Sequence, residues 1–202
     1  MYNSETFARL CKLSYEYEHD RQAVLYQLLG SQFSILEDLS SRDVLVVTDG
    51  DIYVVAFRGT DLARDPHRAF ADLIADINVA IGKNDRVYRI QQAETVIREL
   101  LRMVPKEKIE ISGHSLGAFV GVNIAEKYGL KAVLFNIGSS PLDKVGVRRN
   151  LKNITHYTTN DLRRVPPVID ILSISALFLY RMPYYIVKVK PEMSNHAINN
   201  FI

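Results

Sequence analysis

Tryptophan is absent from the 202 residues, and cysteine occurs once, at Cys11. A single thiol excludes an intrachain disulfide and a cysteine-rich metal site, and it suits a reducing interior. Charge of one sign is missing too: 25 Lys and Arg against 23 Asp and Glu leave a formal net charge of +2. That is too little for a nucleic-acid surface, and "RRN" and "LRR" are short solvated clusters rather than a basic stripe. No apolar run reaches the ~20 residues a spanning helix needs. The longest, "VIDILSISALFLY" (168–180), carries Asp170. The opening "MYNSETFARL" lacks the basic-then-apolar layout of a signal peptide. These absences lead us to expect a soluble, cytoplasmic protein with no nucleic-acid partner. Internal repeats, low-complexity blocks and Gly/Ser-rich linkers are absent as well, and the length fits a single domain over 1–202.

What is there alternates between two periods. "SETFARLCKLSYEYEHDRQAVLYQLL" spaces its apolar residues helically, with Ser4 as the expected cap, and predicts one or two helices. "DVLVVTDGDIYVVAFRGT" reads as two β-branched runs joined by "TDGD", a hairpin with an Asp-Gly turn. "RVYRIQQAETVIRELLRMVP" is helical and stops at Pro105. "KIEISG" predicts a strand, "SLGAFVGVNIAEKYG" a helix ended by Gly129, and "KAVLFNIG", "NITHYTTND" and "YYIVKVK" further strands. Long connections between the later strands argue for parallel βαβ units. The expectation is an α/β fold, with a mostly parallel sheet flanked by helices and an antiparallel hairpin on its N-terminal side.

One stretch asks for a chemical explanation. In "IEISGHSLGAFVG" (109–121), Gly113 and Gly117 flank Ser115 at two residues each way, between a predicted strand and a predicted helix. That is the setting of a nucleophile elbow, where a sharp turn lifts the serine hydroxyl clear at the carboxyl end of a sheet. A bulky Cβ at either glycine would strike the neighbouring strand or helix. The helix start and the amide of Leu116 would then favour a developing oxyanion.

A serine hydroxyl needs a base, and the base an orienting acid; on such a sheet they follow the serine in the order acid, then histidine. His19, His67, His114, His156 and His196 are the histidines. His114 is the variable elbow position, which normally points away from substrate, and His156 is mid-strand. His196, in "PEMSNHAINNF" after the last predicted strand, is the candidate base. Asp143, Asp161 and Asp170 fall between serine and base. Asp143 has no strand directly ahead of it, and Asp170 sits inside the apolar run. Asp161 ends a predicted strand on the elbow's edge of the sheet, and is the preferred acid.

The motifs "VVAFRGT" (54–60), "LIADI" (73–77), "ISGHSLGA" (111–118), "FNIGSSP" (135–141) and "TTNDLRRVPP" (158–167) occur in an order that resembles the class 3, fungal-type lipases of the α/β-hydrolase superfamily. The resemblance implies an α/β-hydrolase fold in compact form with a short lid region. It also implies a serine hydrolase of lipid carboxylic esters, an acylglycerol lipase or esterase without metal or cofactor. Carried over by motif, Ser115 is the nucleophile, Asp161 the acid and His196 the base. Thr60, directly after "FRG", joins Leu116 in the oxyanion hole, and Arg58 is structural. Phe70, His114 and Phe119 are the candidate substrate contacts. Two departures stand out. The family's W-x-x-D tryptophan is missing from the element that Leu73 to Asp76 resembles. The lid stretch "DLARDPHRAFAD" is strongly charged, with only Leu62 and Phe70 as large apolar groups, which argues against strong interfacial activation. The run 168–180 is expected to be a buried core helix rather than an acyl-binding or membrane-touching surface, and peripheral membrane contact is left open. A phospholipase, thioesterase or amidase could carry the same triad, and an inactive hydrolase-fold binding protein is the rival from another class. Sequence fixes neither the acyl chain nor the oligomeric state.

Overall fold

The β-branched runs become strands and the helically spaced stretches become helices. The computed structural model describes residues 2–17, 19–59, 83–137, 149–150, 152–158, 180–181, 184–187 and 198–202. The helices are α1 (Ser4–Leu13), α2 (Arg21–Leu29), α3 (Lys83–Met103) and α4 (Leu116–Tyr128). The strands are β1 (Ser34–Ile35), β2 (Val44–Thr48), β3 (Tyr53–Phe57), β4 (Ile109–His114), β5 (Lys131–Phe135), β6 (Arg149–Asn150), β7 (Ile154–Thr158), β8 (Tyr180–Arg181) and β9 (Tyr184–Ile186). The main sheet runs β1-β2-β3-β4-β5-β7-β9, and β6 pairs with β8 in a small parallel sheet.

Strands β1, β2 and β3 pair antiparallel, and every pairing from β3 to β9 is parallel. The predicted hairpin is β2–β3, with Val46 opposite Val55. Its turn holds Gly50 at φ 91°, and the Asp49 carboxylate accepts from the amides of Asp51 and Ile52 at 2.9 and 2.8 Å. Strand β4 lies at the centre and every one of its residues is buried, as befits a parallel strand covered on both faces.

Alternation along the strands builds two cores. Val44, Val46, Val55, Ile109 and Ile111 face α3 and α4, where Ala93, Ile97 and Leu100 meet Ala118, Val122 and Ala125. Leu45, Val47, Val54 and Ala56 face the other way, onto Phe7, Leu10 and Cys11 of α1 and Leu25 of α2. Helix α1 turns Phe7, Leu10 and Cys11 toward the sheet at spacings of three and four, α2 buries Leu25, and α4 is buried over most of its surface. The result is a three-layer α/β arrangement with a mostly parallel sheet, compatible with the expected α/β-hydrolase organisation.

Three details differ from the sequence reading. The cap of α1 is Asn3, not Ser4: the Asn3 side chain accepts from the Thr6 amide at 2.8 Å. Helix α3 starts before Arg86, at Lys83. Strands β1, β6 and β8 were not expected; each has two residues, too few to show a period. Gly129 ends α4 as predicted, in the left-handed conformation at φ 67°. The lid stretch and the run 168–179 lie outside the described residues, and Tyr180 opens β8. Among the described residues no helix is long and apolar enough to cross a membrane.

Candidate functional site

Parallel strands deliver their carboxyl ends to one edge, and Ser115 stands at that edge directly after the central strand β4. Its backbone is at φ 57°, ψ −123°, a conformation that costs a side-chain-bearing residue about 1–3 kcal/mol. The surroundings hold it there. The Ser115 amide donates to Phe135 O at 3.1 Å, extending the ladder to β5, and Ser115 O accepts from the Phe119 amide at 3.1 Å, opening α4. The Ser115 side chain makes no capping bond to that helix, so the hydroxyl is not spent on it.

The two flanking glycines are required by space. A Cβ on Gly113 would lie 2.6 Å from Gly117 O and 2.8 Å from Ala118 N; a Cβ on Gly117 would strike Phe57 O and lie 2.6 Å from Phe57 C. These are backbone atoms that cannot swing aside. Helix α4 thus crosses β3 and β4 at a distance only glycine allows, as the G-x-S-x-G pattern led us to expect.

Leu116 is the first residue of α4 and is buried; the amides of that first turn have no intrahelical acceptor. They meet the positive end of the helix dipole beside Ser115. The end of β3 comes up to the same point: Gly59 is so close that a Cβ there would lie 3.1 Å from Ser115 Cβ and 2.7 Å from His114 O. The next residue in the chain is Thr60, which lies outside the described residues, as do Phe70, Asp161 and His196. The chain leaves β7 at Thr158, three residues before Asp161.

The remaining candidates can be located. His114 is buried; its Nδ1 shares a 2.9 Å hydrogen bond with the Tyr15 hydroxyl, and the two rings meet edge-on at 6.1 Å. Phe119, half-buried on α4, packs against the α3–α4 core. Arg58 is structural, as expected. It is 3% exposed, donates to Asp43 Oδ1 from Nη2 at 2.6 Å and from Nε at 3.2 Å, and lies over the Tyr17 ring. Its carbonyl accepts from Arg89 Nη1 at 3.0 Å, which ties the end of β3 to α3. His156 is buried in β7, where Nε2 accepts from the Ile137 amide at 3.3 Å.

Two residues beside the elbow were not singled out from the sequence. Tyr15 reaches in from the end of α1. Asn136 follows β5, fully buried at φ 40°, its amide donating to Tyr157 O at 2.9 Å. The four-residue spacing of Phe7, Cys11 and Tyr15 was the available signal for the first, and membership of the "FNIGSSP" motif for the second. Among the described residues no group of three or more His, Cys, Asp or Glu side chains is placed to hold a metal ion.

No curated protein matches the chain. A family model for the Tle-like phospholipase domain, described as phospholipase-like, matches residues 41–166. The match begins just before β2 and includes the end of β3, the elbow and the "ND" step at Asn160 and Asp161. It covers more than half of the chain, and the chain belongs to the Tle-like phospholipase domain family.

Proposed function

We propose that this protein is a serine hydrolase of lipid carboxylic esters, with Ser115 as nucleophile, His196 as base and Asp161 as the acid that orients it. The observation that carries the reading is the strained Ser115 backbone at the strand-to-helix elbow. A residue kept at φ 57° with a Cβ has no packing reason to be there, whereas a nucleophile on a sharp turn does. The family match favours lipid esters as the substrate class, and among them phospholipids. The finer motif resemblance to class 3 lipases supports the α/β-hydrolase fold, the roles of Asp161 and His196, and acylglycerols as the second substrate class.

In the mechanism, His196 removes the hydroxyl proton as Ser115 Oγ attacks the ester carbonyl, and Asp161 holds the imidazole tautomer and stabilises the imidazolium. The tetrahedral oxygen takes up negative charge and accepts from the amides of Leu116 and Thr60. One such donor typically lowers the barrier by about 2.7–4 kcal/mol. His196 then protonates the departing alcohol, and water deacylates the serine by the reverse path. Phe70 and Phe119 remain candidates for contact with the acyl chain, whereas His114 is turned toward Tyr15 on the α1 side.

Two experiments test this. A fluorophosphonate probe should label Ser115 in the folded protein, and Ser115→Ala should lose turnover by up to about a millionfold. Wild-type turnover in that variant would refute the nucleophile. A panel of phospholipids, acylglycerols and thioesters of graded chain length ranks the substrate classes. A folded, unreactive protein would support a binding role instead.

A further inference from the structure

The geometry points to Tyr15 as a positioning residue that holds Ser115 against the end of β3, an inference that rests on Ser115 being the nucleophile. Along β4 the polar side chains Ser112 and His114 are two residues apart, so both face α1. On α1 and its continuation Phe7, Cys11 and Tyr15 are four apart, one line along a helix face. The two lines are joined. Ser112 Oγ donates to Phe7 O at 3.2 Å and lies 2.9 Å from Cys11 Sγ, and the Tyr15 hydroxyl meets His114 Nδ1 at 2.9 Å. The backbone that carries Tyr15 is fixed in the turn after α1, where its amide donates to Lys12 O at 3.0 Å.

The hydroxyl has a second contact. A Cβ on Gly59 would strike it, and that same Cβ would lie 2.7 Å from His114 O and 3.1 Å from Ser115 Cβ. Tyr15 Oη, Gly59, His114 and Ser115 therefore meet at one point. Gly59 immediately precedes the residue proposed to supply an oxyanion amide, and His114 immediately precedes the nucleophile. One hydroxyl thus bears on both parts of the reaction centre, and it reaches the nucleophile's strand through His114. Losing it removes the bond that ties the His114 ring to α1 and opens space beside Gly59, so hydroxyl and oxyanion donors no longer keep a fixed separation.

The test compares wild-type protein with Tyr15→Phe, which keeps the ring. Labelling by a fluorophosphonate probe is timed well below both melting temperatures, beside kcat and KM on a short-chain nitrophenyl ester. Labelling and kcat should both fall by about ten- to a hundredfold, the range for a misplaced reacting group, with KM little changed. His114→Gln and the double variant complete a cycle. Because Tyr15 acts through His114, the double variant should be no slower than the slower single one. Wild-type labelling rates in Tyr15→Phe, or fully additive losses, would overturn the inference and leave the nucleophile assignment standing. A wild-type protein that is not labelled at Ser115 overturns both. Should Tyr15→Phe fail to fold, His114→Gln breaks the same bond from the strand side and is judged by the same rates.

Discussion

Replacing Ser115 by alanine and by glycine separates strain from chemistry. Both variants lose the hydroxyl, so they differ only in the Cβ, and neither can be acylated. At an ordinary position glycine is the less stable of the two, by about 0.5–1 kcal/mol for backbone entropy and about 0.8 kcal/mol for one buried carbon. At φ 57°, ψ −123° glycine also sheds the conformational penalty of about 1–3 kcal/mol that alanine keeps. With the middle of each range, Ser115→Gly should exceed Ser115→Ala by roughly 0.5 kcal/mol, where an unstrained site would give a deficit of roughly 1.5. The two outcomes are about 2 kcal/mol apart, or on the order of 4–8 °C in Tm for a domain of this size. Urea unfolding followed by circular dichroism resolves that gap, provided the m-values agree. If glycine trails alanine by 1 kcal/mol or more (about the ordinary penalty), the elbow is not strained and the main argument for a nucleophile is lost.

The other predictions concern the same framework. Gly117→Ala forces a Cβ onto the backbone of Phe57 and Arg58 and should destabilise by about 1–3 kcal/mol or more; an unchanged urea midpoint would show that α4 can retreat. Burial pushes the Cys11 thiol up to about 12, so iodoacetamide at pH 8 should leave the folded protein unmodified by mass and alkylate it fully in denaturant. Burial also raises the Glu110 carboxyl, against the pull of Lys131, and its Oε2 has no hydrogen-bond partner among the described residues. The folded state then keeps this proton to higher pH than the unfolded chain does, so stability declines from the ordinary carboxylate range up through the raised value. Glu110→Gln should remove that decline; parallel stability curves for the two proteins over that window would count against it.

Sheet strands and elbow were legible because their signals are local. "VLVVT" and "YVVAF" are β-branched runs that nothing but a buried strand accommodates, and the glycines at 113 and 117 report a close approach before the neighbours are known. The α1 cap was misread by one residue because Asn3 and Ser4 are both competent caps, and the choice turns on which backbone leaves the helix. The contacts of Tyr15 and Asn136 and the pairing of β6 with β8 were not legible. Each depends on which distant segments are brought together, and that information is not carried at the residue itself. Thr60, Phe70, Asp161 and His196 lie outside the described residues, and the described part of the candidate site is Ser115 with the first turn of α4.

The bonds between α1 and β4 have a consequence for the order of assembly. Cys11 meets Ser112 across 101 positions of the chain, and Tyr15 meets His114 across 99. During synthesis these two bonds therefore cannot form until β4 has emerged, although β2 and β3, which also cover the apolar stripe of the first helix, appear sooner. Early packing of α1 on β2 and β3 over that interval would shield the stripe and help decide how much of the newly made protein reaches its native state.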